Sequence, residues 1–179
     1  MPAHKLFLFG LDKAGKTTLS HFIKEAKEIQ PRPTLAFNLD KWIIKDLEFQ
    51  IWDAPGQVSL RYVWKNGFNR AKILMFVLDC SHPERFEEAF TEFNQVIMNA
   101  DTRGIPLVFC FHKWDIDLAQ ASYNDARAVF KLPLITDRPV FSYRTTVKNL
   151  ETSKIPSNED IGGLKLKLVE LIQSERWGT

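Results

Sequence analysis

Apolar positions along the chain follow two alternating rhythms. Short, almost wholly apolar runs stand at Lys5–Phe9, Ile73–Leu78, Pro106–Phe111 and, more briefly, Val140–Tyr143. Runs that are apolar on both faces and bounded by turn residues predict buried, mostly parallel strands. Leu35–Lys45 and Leu47–Trp52 are rich in Phe, Trp and Ile and flank a polar bend at Lys45–Asp46, so they predict a local antiparallel hairpin at the edge of that sheet. Between the strands lie helical patterns: Lys16–Ile29; a run from Ser81, as N-cap with Pro83 near the first helical position, to Met98; Ala119–Leu132; and Asp160–Arg176. In the last, Ile161, Leu164, Leu168, Leu171 and Ile172 share one face. Strands alternating with helices predict an α/β fold: a mostly parallel six-stranded sheet with one antiparallel edge strand, right-handed crossovers and helices on both faces.

Composition narrows the class. With 179 residues and no linker or internal repeat, the expectation is one domain over residues 1–179. Lys+Arg 24 against Asp+Glu 22, a net charge of +2, removes bulk electrostatics as an argument for nucleic acid or an acidic membrane surface. Only eight glycines are present, which excludes collagen-like and linker readings. Cys80 and Cys110 lie in separate apolar runs without a CxxC or clustered His, so buried reduced thiols are expected rather than disulfides or zinc. No apolar run reaches about 18 residues, and the start MPAHKLFLFG lacks the regions of a signal peptide. Pro2 and the ending SERWGT exclude the myristoyl and prenyl patterns. The expected location is cytoplasmic, with no anchor of its own and any membrane recruitment supplied by partners.

The chemistry sits in four short motifs. Gly10-Leu11-Asp12-Lys13-Ala14-Gly15-Lys16-Thr17 fits GxxxxGK[ST] between a predicted strand and a predicted helix. Such a loop turns backbone N–H groups around phosphate oxygens, and the helix dipole favours the anion. Lys16 would reach the β- and γ-phosphates and the Thr17 hydroxyl would bind Mg²⁺; Lys13 adds a further cation. Asp53-Ala54-Pro55-Gly56-Gln57 then follows a strand with DxxG spacing. Asp53 would hold Mg²⁺ through water, the Gly56 N–H would sense a γ-phosphate, and Gln57 would orient an attacking water. His112-Lys113-Trp114-Asp115 ends the next apolar strand. Asp115 can accept two N–H bonds from guanine that adenine cannot offer, a preference of roughly 10²–10⁴-fold. The Lys113 stem can lie over the base. Finally, in Thr145-Thr146-Val147-Lys148 the Val147 N–H can reach the guanine carbonyl.

In this order the four motifs resemble the small GTPases of the Ras superfamily across essentially the whole chain, and the Arf branch in particular. Gly10–Thr18 is similar to that branch's phosphate loop, which implies nucleotide contacts from Asp12, Lys13, Ala14, Gly15, Lys16, Thr17 and Thr18. Pro33-Thr34 followed by Ala36-Phe37-Asn38 resembles its switch I, which makes Thr34 a second Mg²⁺ ligand and γ-phosphate sensor. Trp52 and Trp64 match as well, while His112-Lys113-x-Asp115 and Arg144-Thr145-Thr146 resemble the Rag branch. The resemblance implies GTP and GDP as ligands, with catalysis resting on Gln57 and Lys16 and base contacts from His112, Lys113, Asp115, Thr146 and Val147. An exchange factor, an activating protein and effectors would read switch I (residues 30–38) and switch II (residues 54–64) around Phe37, Trp52 and Trp64.

Several residues depart from the Arf pattern. Pro55 replaces a glycine, His112 replaces an asparagine that bridges to the phosphate loop, and Gly67 stands where an effector aromatic belongs. Nine residues precede Gly10, too few for the family's amphipathic N-terminal helix, and a Rag-type dimerisation domain is not expected. His4, His21 and His82 lack nucleophile or carboxylate spacing; Glu84, Glu87 and Glu88 read as a solvated helix face; Trp114 and Trp177 read as packing. No arginine has an evident finger position, and Arg32 in switch I stays open for that role. Two other functions stay open on the residues alone: a nucleotide-stabilised scaffold that scarcely hydrolyses GTP, and a small P-loop kinase, whose Arg-rich lid the stretch Lys131–Arg144 is too short to supply.

Overall fold

A computed structural model describes residues 3–26, 29, 32–148 and 160–174. Six strands form one sheet: β1 (His4–Phe9), β2 (Asn38–Ile44), β3 (Leu47–Asp53), β4 (Ile73–Asp79), β5 (Leu107–His112) and β6 (Val140–Thr145). Their order is β2-β3-β1-β4-β5-β6; β2 and β3 pair antiparallel and every other pair is parallel. The hairpin closes through Lys45 and Asp46, both at positive φ (45° and 64°), the primed turn whose twist suits two-residue hairpins.

Alternation along β1 shows why the sheet is covered twice. Leu6 and Leu8 enter a cluster with Leu19, Ile23, Leu164 and Leu168, which α1 (Lys16–Glu25) and α6 (Ile161–Ser174) supply. Phe7 and Phe9 enter the opposite cluster with Trp64, Phe93 and Phe130, from α2 (Trp64–Gly67), α3 (Phe86–Ile97) and α5 (Tyr123–Phe130). That second layer is built on aromatic edges: Phe76 lies 5.0 Å from both Phe9 and Phe93. Each such buried ring is worth about 2–3 kcal/mol relative to exposure.

The helices depart from the sequence reading in three places. α1 ends at Glu25 rather than Ile29, because Ala26 turns left-handed (φ 52°) and its N–H caps the Phe22 carbonyl; nothing in the local sequence marks that stop. Ser81 does not cap α3. Asp79 takes both its N–H (2.9 Å) and its hydroxyl (2.6 Å), so a 3₁₀ turn at Pro83–Arg85 comes first and the helix starts at Phe86. The third pattern is two helices, α4 (Asp117–Ala121) and α5, broken at Ser122, whose backbone (φ −85°, ψ 0°) leaves the helical region. The end of the last pattern at Arg176, and Trp177, lie outside the described residues.

Parallel pairing places the carboxyl ends of β1, β3, β4, β5 and β6 on one edge of the sheet. The chain crosses over β1 to pass from β3 to β4, so the crevice of an open α/β sheet falls at the end of β1. All four motifs meet there.

Candidate functional site

The phosphate loop turns out of β1 and enters α1 at Lys16. Gly15 precedes the helix at φ 91°, and a side chain there would strike the His112 ring, whose Cδ2 would lie 2.7 Å from its Cβ. Both backbone conformation and space therefore demand glycine. Lys16 is buried, and its Nζ donates to the Leu11 carbonyl at 2.8 Å. Burial pushes its pKa down to about 8, against the charges of Asp53 and Asp12. An ammonium desolvated in this way is suited to an anion in the loop.

At the end of β3, Asp53 is fully buried. Thr17 Oγ1 donates to its Oδ2 at 2.5 Å, and Thr34 Oγ1 stands 3.2 Å from Thr17 Oγ1. Burial raises the Asp53 pKa, opposed by Lys16 and by hydrogen bonds from Thr17 and Asn38. Its other oxygen, Oδ1, is buried with no hydrogen-bond partner. The three residues expected around a metal thus stand together, with one buried oxygen of Asp53 lacking a hydrogen-bond partner.

Gly56 packs against the phosphate loop. A Cβ there would collide with the Asp12 nitrogen and the Leu11 carbonyl group. The Gly56 carbonyl accepts the Asp12 N–H at 3.0 Å and Arg61 Nε at 2.8 Å, and the preceding Pro55 carbonyl accepts Trp64 Nε1 at 2.7 Å. Gln57 is half-buried at the rim. A cavity of about 360 Å³ joins these parts; it is lined by Asp12, Lys13 and Gly15–Thr18, by Arg32–Thr34 opposite, and by Gly56, Gln57 and Lys113.

Side chains build the other end. His112 is buried, with Nδ1 2.9 Å from Thr145 Oγ1 and its opposite edge against Gly15. Burial pushes its pKa down to about 4, aided by the Lys113 charge, so it stands neutral at pH 7. It bridges to the phosphate loop by packing where an asparagine would use hydrogen bonds. Lys113, at φ 63°, sends its Nζ to Asp79 Oδ2 at 2.6 Å. Asp115 Oδ1 accepts the Thr146 hydroxyl at 2.6 Å, and Lys148 Nζ stands 3.9 Å from Oδ2. Val147 packs at the edge of the core. Of this group only Lys113 lines the cavity; His112 ends β5, and Asp115, Thr146 and Val147 stand on the loops that follow β5 and β6.

Three expectations change. Trp64 is buried against Phe9, with ring centroids 5.6 Å apart, and so is not available as a partner contact. Gly67 is a packing notch: a Cβ there would meet the rings of Phe7 and Phe37, so Phe37 occupies the space of the missing aromatic. Glu88 is not simply solvated, since it pairs with Arg61 and Arg85. Trp114 is core, edge-on to Tyr123 at 5.1 Å. The reading along the chain missed Arg61, Arg85, Glu92 and Asp79. The available signal was an arginine five residues beyond Gly56 facing two carboxylates, Glu88 and Glu92, spaced four apart on one helix.

Residues 2–154 match the sequence model of the ADP-ribosylation factor family. The chain belongs to that family. It is 35% identical over 113 residues to ADP-ribosylation factor-like protein 4D of Bos taurus and equally to that of Homo sapiens. These matches cover 60% of this chain and 56% of each relative, so the chain aligns with little more than half the length of the curated proteins it matches. The fold matches the structure of the Arl6 BBS3 small GTPase from Trypanosoma brucei with bound nucleotide analogue GppNp, with a TM-score of 0.77. That match covers 97% of this chain and 99% of the other at 20% identity, which bears on the fold alone. Among the described residues, no helix of this family member is long and apolar enough to cross a membrane.

Proposed function

We propose that this chain is a guanine-nucleotide switch that binds GTP and GDP with Mg²⁺ and hydrolyses GTP slowly. One observation carries the reading: a buried carboxylate oxygen on Asp53 without a hydrogen-bond partner, on the residue that accepts the Thr17 hydroxyl, with Thr17, Thr34 and the buried ammonium of Lys16 lining one cavity. One carboxylate with hydroxyls suits Mg²⁺, which keeps its waters and takes its remaining ligands from phosphates. When bound, the ion would neutralise charge on the β- and γ-phosphates.

The protein's own groups divide the work. Backbone N–H groups of Lys13 and of Gly15 to Thr18 and the Lys16 ammonium receive phosphate oxygens, Gly56 meets the γ-phosphate, and Gln57 orients water. Asp115 reads guanine, held in place by Thr146, and Val147 offers its N–H to the base. The His112-Lys113-x-Asp115 motif, which resembles the Rag branch, serves guanine as the commoner Asn-Lys-x-Asp does. Arg32 lines the cavity from switch I and is the only arginine among the described lining residues. Slow unaided turnover follows from a site that leaves charge neutralisation to a partner. Switch surfaces for regulators and effectors are supported by exposed apolar residues at Leu35 (72%), Val58 (70%) and Tyr62 (70%). The test is to identify the nucleotide released on denaturing the purified protein, then time its turnover after reloading. Stoichiometric GDP or GTP with measurable phosphate release supports the reading; copurifying ATP or ADP overturns it.

A further inference from the structure

We infer that Arg61 and Trp64 are positioning residues that pin the two peptide planes flanking Gly56, and so set the γ-phosphate contact without touching the nucleotide. The inference rests on the GTP-switch reading above. A peptide unit is planar, so fixing its carbonyl also fixes the direction of its N–H. The Pro55 carbonyl, held by Trp64 Nε1 at 2.7 Å, shares a plane with the Gly56 N–H. The Gly56 carbonyl, held by Arg61 Nε at 2.8 Å and the Asp12 N–H at 3.0 Å, shares a plane with the N–H of Gln57. The indole thus orients the donor for a γ-phosphate, and the guanidinium orients the start of the residue that would hold water.

Arg61 is built for holding rather than for catalysis. It is 7% exposed and lies outside the residues that line the cavity. Its remaining donors are taken by carboxylates on two other elements: Nη2 lies 2.7 Å from Glu88 and 3.5 Å from Asp12, and Nη1 lies 3.2 Å from Glu92. Arg85 completes the cluster, with donors 3.0 Å from the Asp12 carbonyl, 2.8 Å from Asp12 Oδ1 and 3.1 Å from Glu88. Burial works against ionisation of Glu88, yet Arg85 and Arg61 hold its carboxyl below the usual range. The cluster therefore ties switch II and the phosphate loop to α3. Arg85 holds Asp12 independently of Arg61, so the diphosphate part of the loop keeps its support when Arg61 changes. Only the Gly56 end depends on Arg61 and Trp64, and only a triphosphate reaches that end.

The test compares dissociation of a fluorescent GDP and a fluorescent non-hydrolysable GTP analogue from the wild type, Arg61→Lys and Trp64→Phe. Lysine keeps the charge and loses the Nε fork, and phenylalanine keeps the ring packing and loses only the N–H. Each variant should release the GTP analogue about tenfold faster, the loss of roughly one hydrogen bond to a charged group, with GDP release within about twofold of wild type. A purely structural role would speed both ligands alike, and that result, or no change in either, overturns the inference. If Arg61→Lys does not fold, Trp64→Phe decides alone. A wild type that holds neither guanine nucleotide removes the switch reading itself, and this inference with it.

Discussion

The proposed phosphate end and the proposed base end of the site are made from different materials. At the phosphate end the groups are backbone brought close by Gly15 and Gly56, plus one buried ammonium and a chain of hydrogen bonds through Thr34, Thr17 and Asp53. At the base end they come from side chains already engaged with neighbours: His112 with Thr145, Lys113 with Asp79 and Asp115 with Thr146. Backbone geometry tolerates little change of sequence, because a glycine that avoids a collision has no substitute. Side-chain geometry tolerates exchange, as His112 demonstrates by filling with a ring the place of a bridging asparagine. The first end should therefore respond to any nucleotide and the second to the identity of the base.

Four substitutions break or sharpen that division. Lys16→Met removes the buried ammonium and should weaken GTP and GDP alike by about 10²–10³-fold in fluorescent-nucleotide titrations, since charge-assisted bonds to both phosphates are lost. A loss confined to one nucleotide would contradict a base-blind phosphate end. Asp115→Asn should cost GTP about 100-fold while improving xanthine nucleotides, measured by calorimetry; unchanged base preference would remove Asp115 from the contact. Gln57→Leu should slow single-turnover phosphate release about tenfold and leave nucleotide affinity within about twofold, and equal rates would strip Gln57 of its role.

The smallest effect lies at the seam between the ends. The folded pKa of His112 is depressed to about 4 by burial, below the unfolded value of 6.5. As pH falls below about 6.5 the unfolded chain takes up the proton first, so stability is whole above that pH and drains toward pH 4. The thermal midpoint of the wild type should fall by about 4 °C more than that of His112→Asn between pH 7.5 and pH 5. Parallel curves for the two proteins would refute a neutral buried ring.

The same contrast explains what could be read along the chain. Apolar runs on both faces located the parallel strands, and GxxxxGK[ST] and DxxG located the loops that line the cavity, because glycine placement is written in the residues themselves. Hydrogen-bond competition was not legible. Ser81 has the chemistry of an N-cap, but Asp79 claims it. Glu88 has helical spacing like any solvated glutamate, and only the tertiary fold brings Arg61 against it across 27 residues. Gly67 illustrates the limit of reading by resemblance: the position is not empty but closed by Phe7 and Phe37. Helix stops set by single left-handed residues, such as Ala26, carry no sequence signature at all.

In the proposed switch, a base-blind phosphate cradle is joined to a guanine-reading loop through His112. Competition of GTP and ATP for the wild-type site in Mg²⁺, followed by displacement of bound fluorescent GDP, tests it most directly. GTP should displace at least about 100-fold better than ATP, and inorganic triphosphate should compete with no dependence on Asp115. Equal displacement by GTP and ATP would contradict the guanine assignment and leave only a phosphate-binding loop.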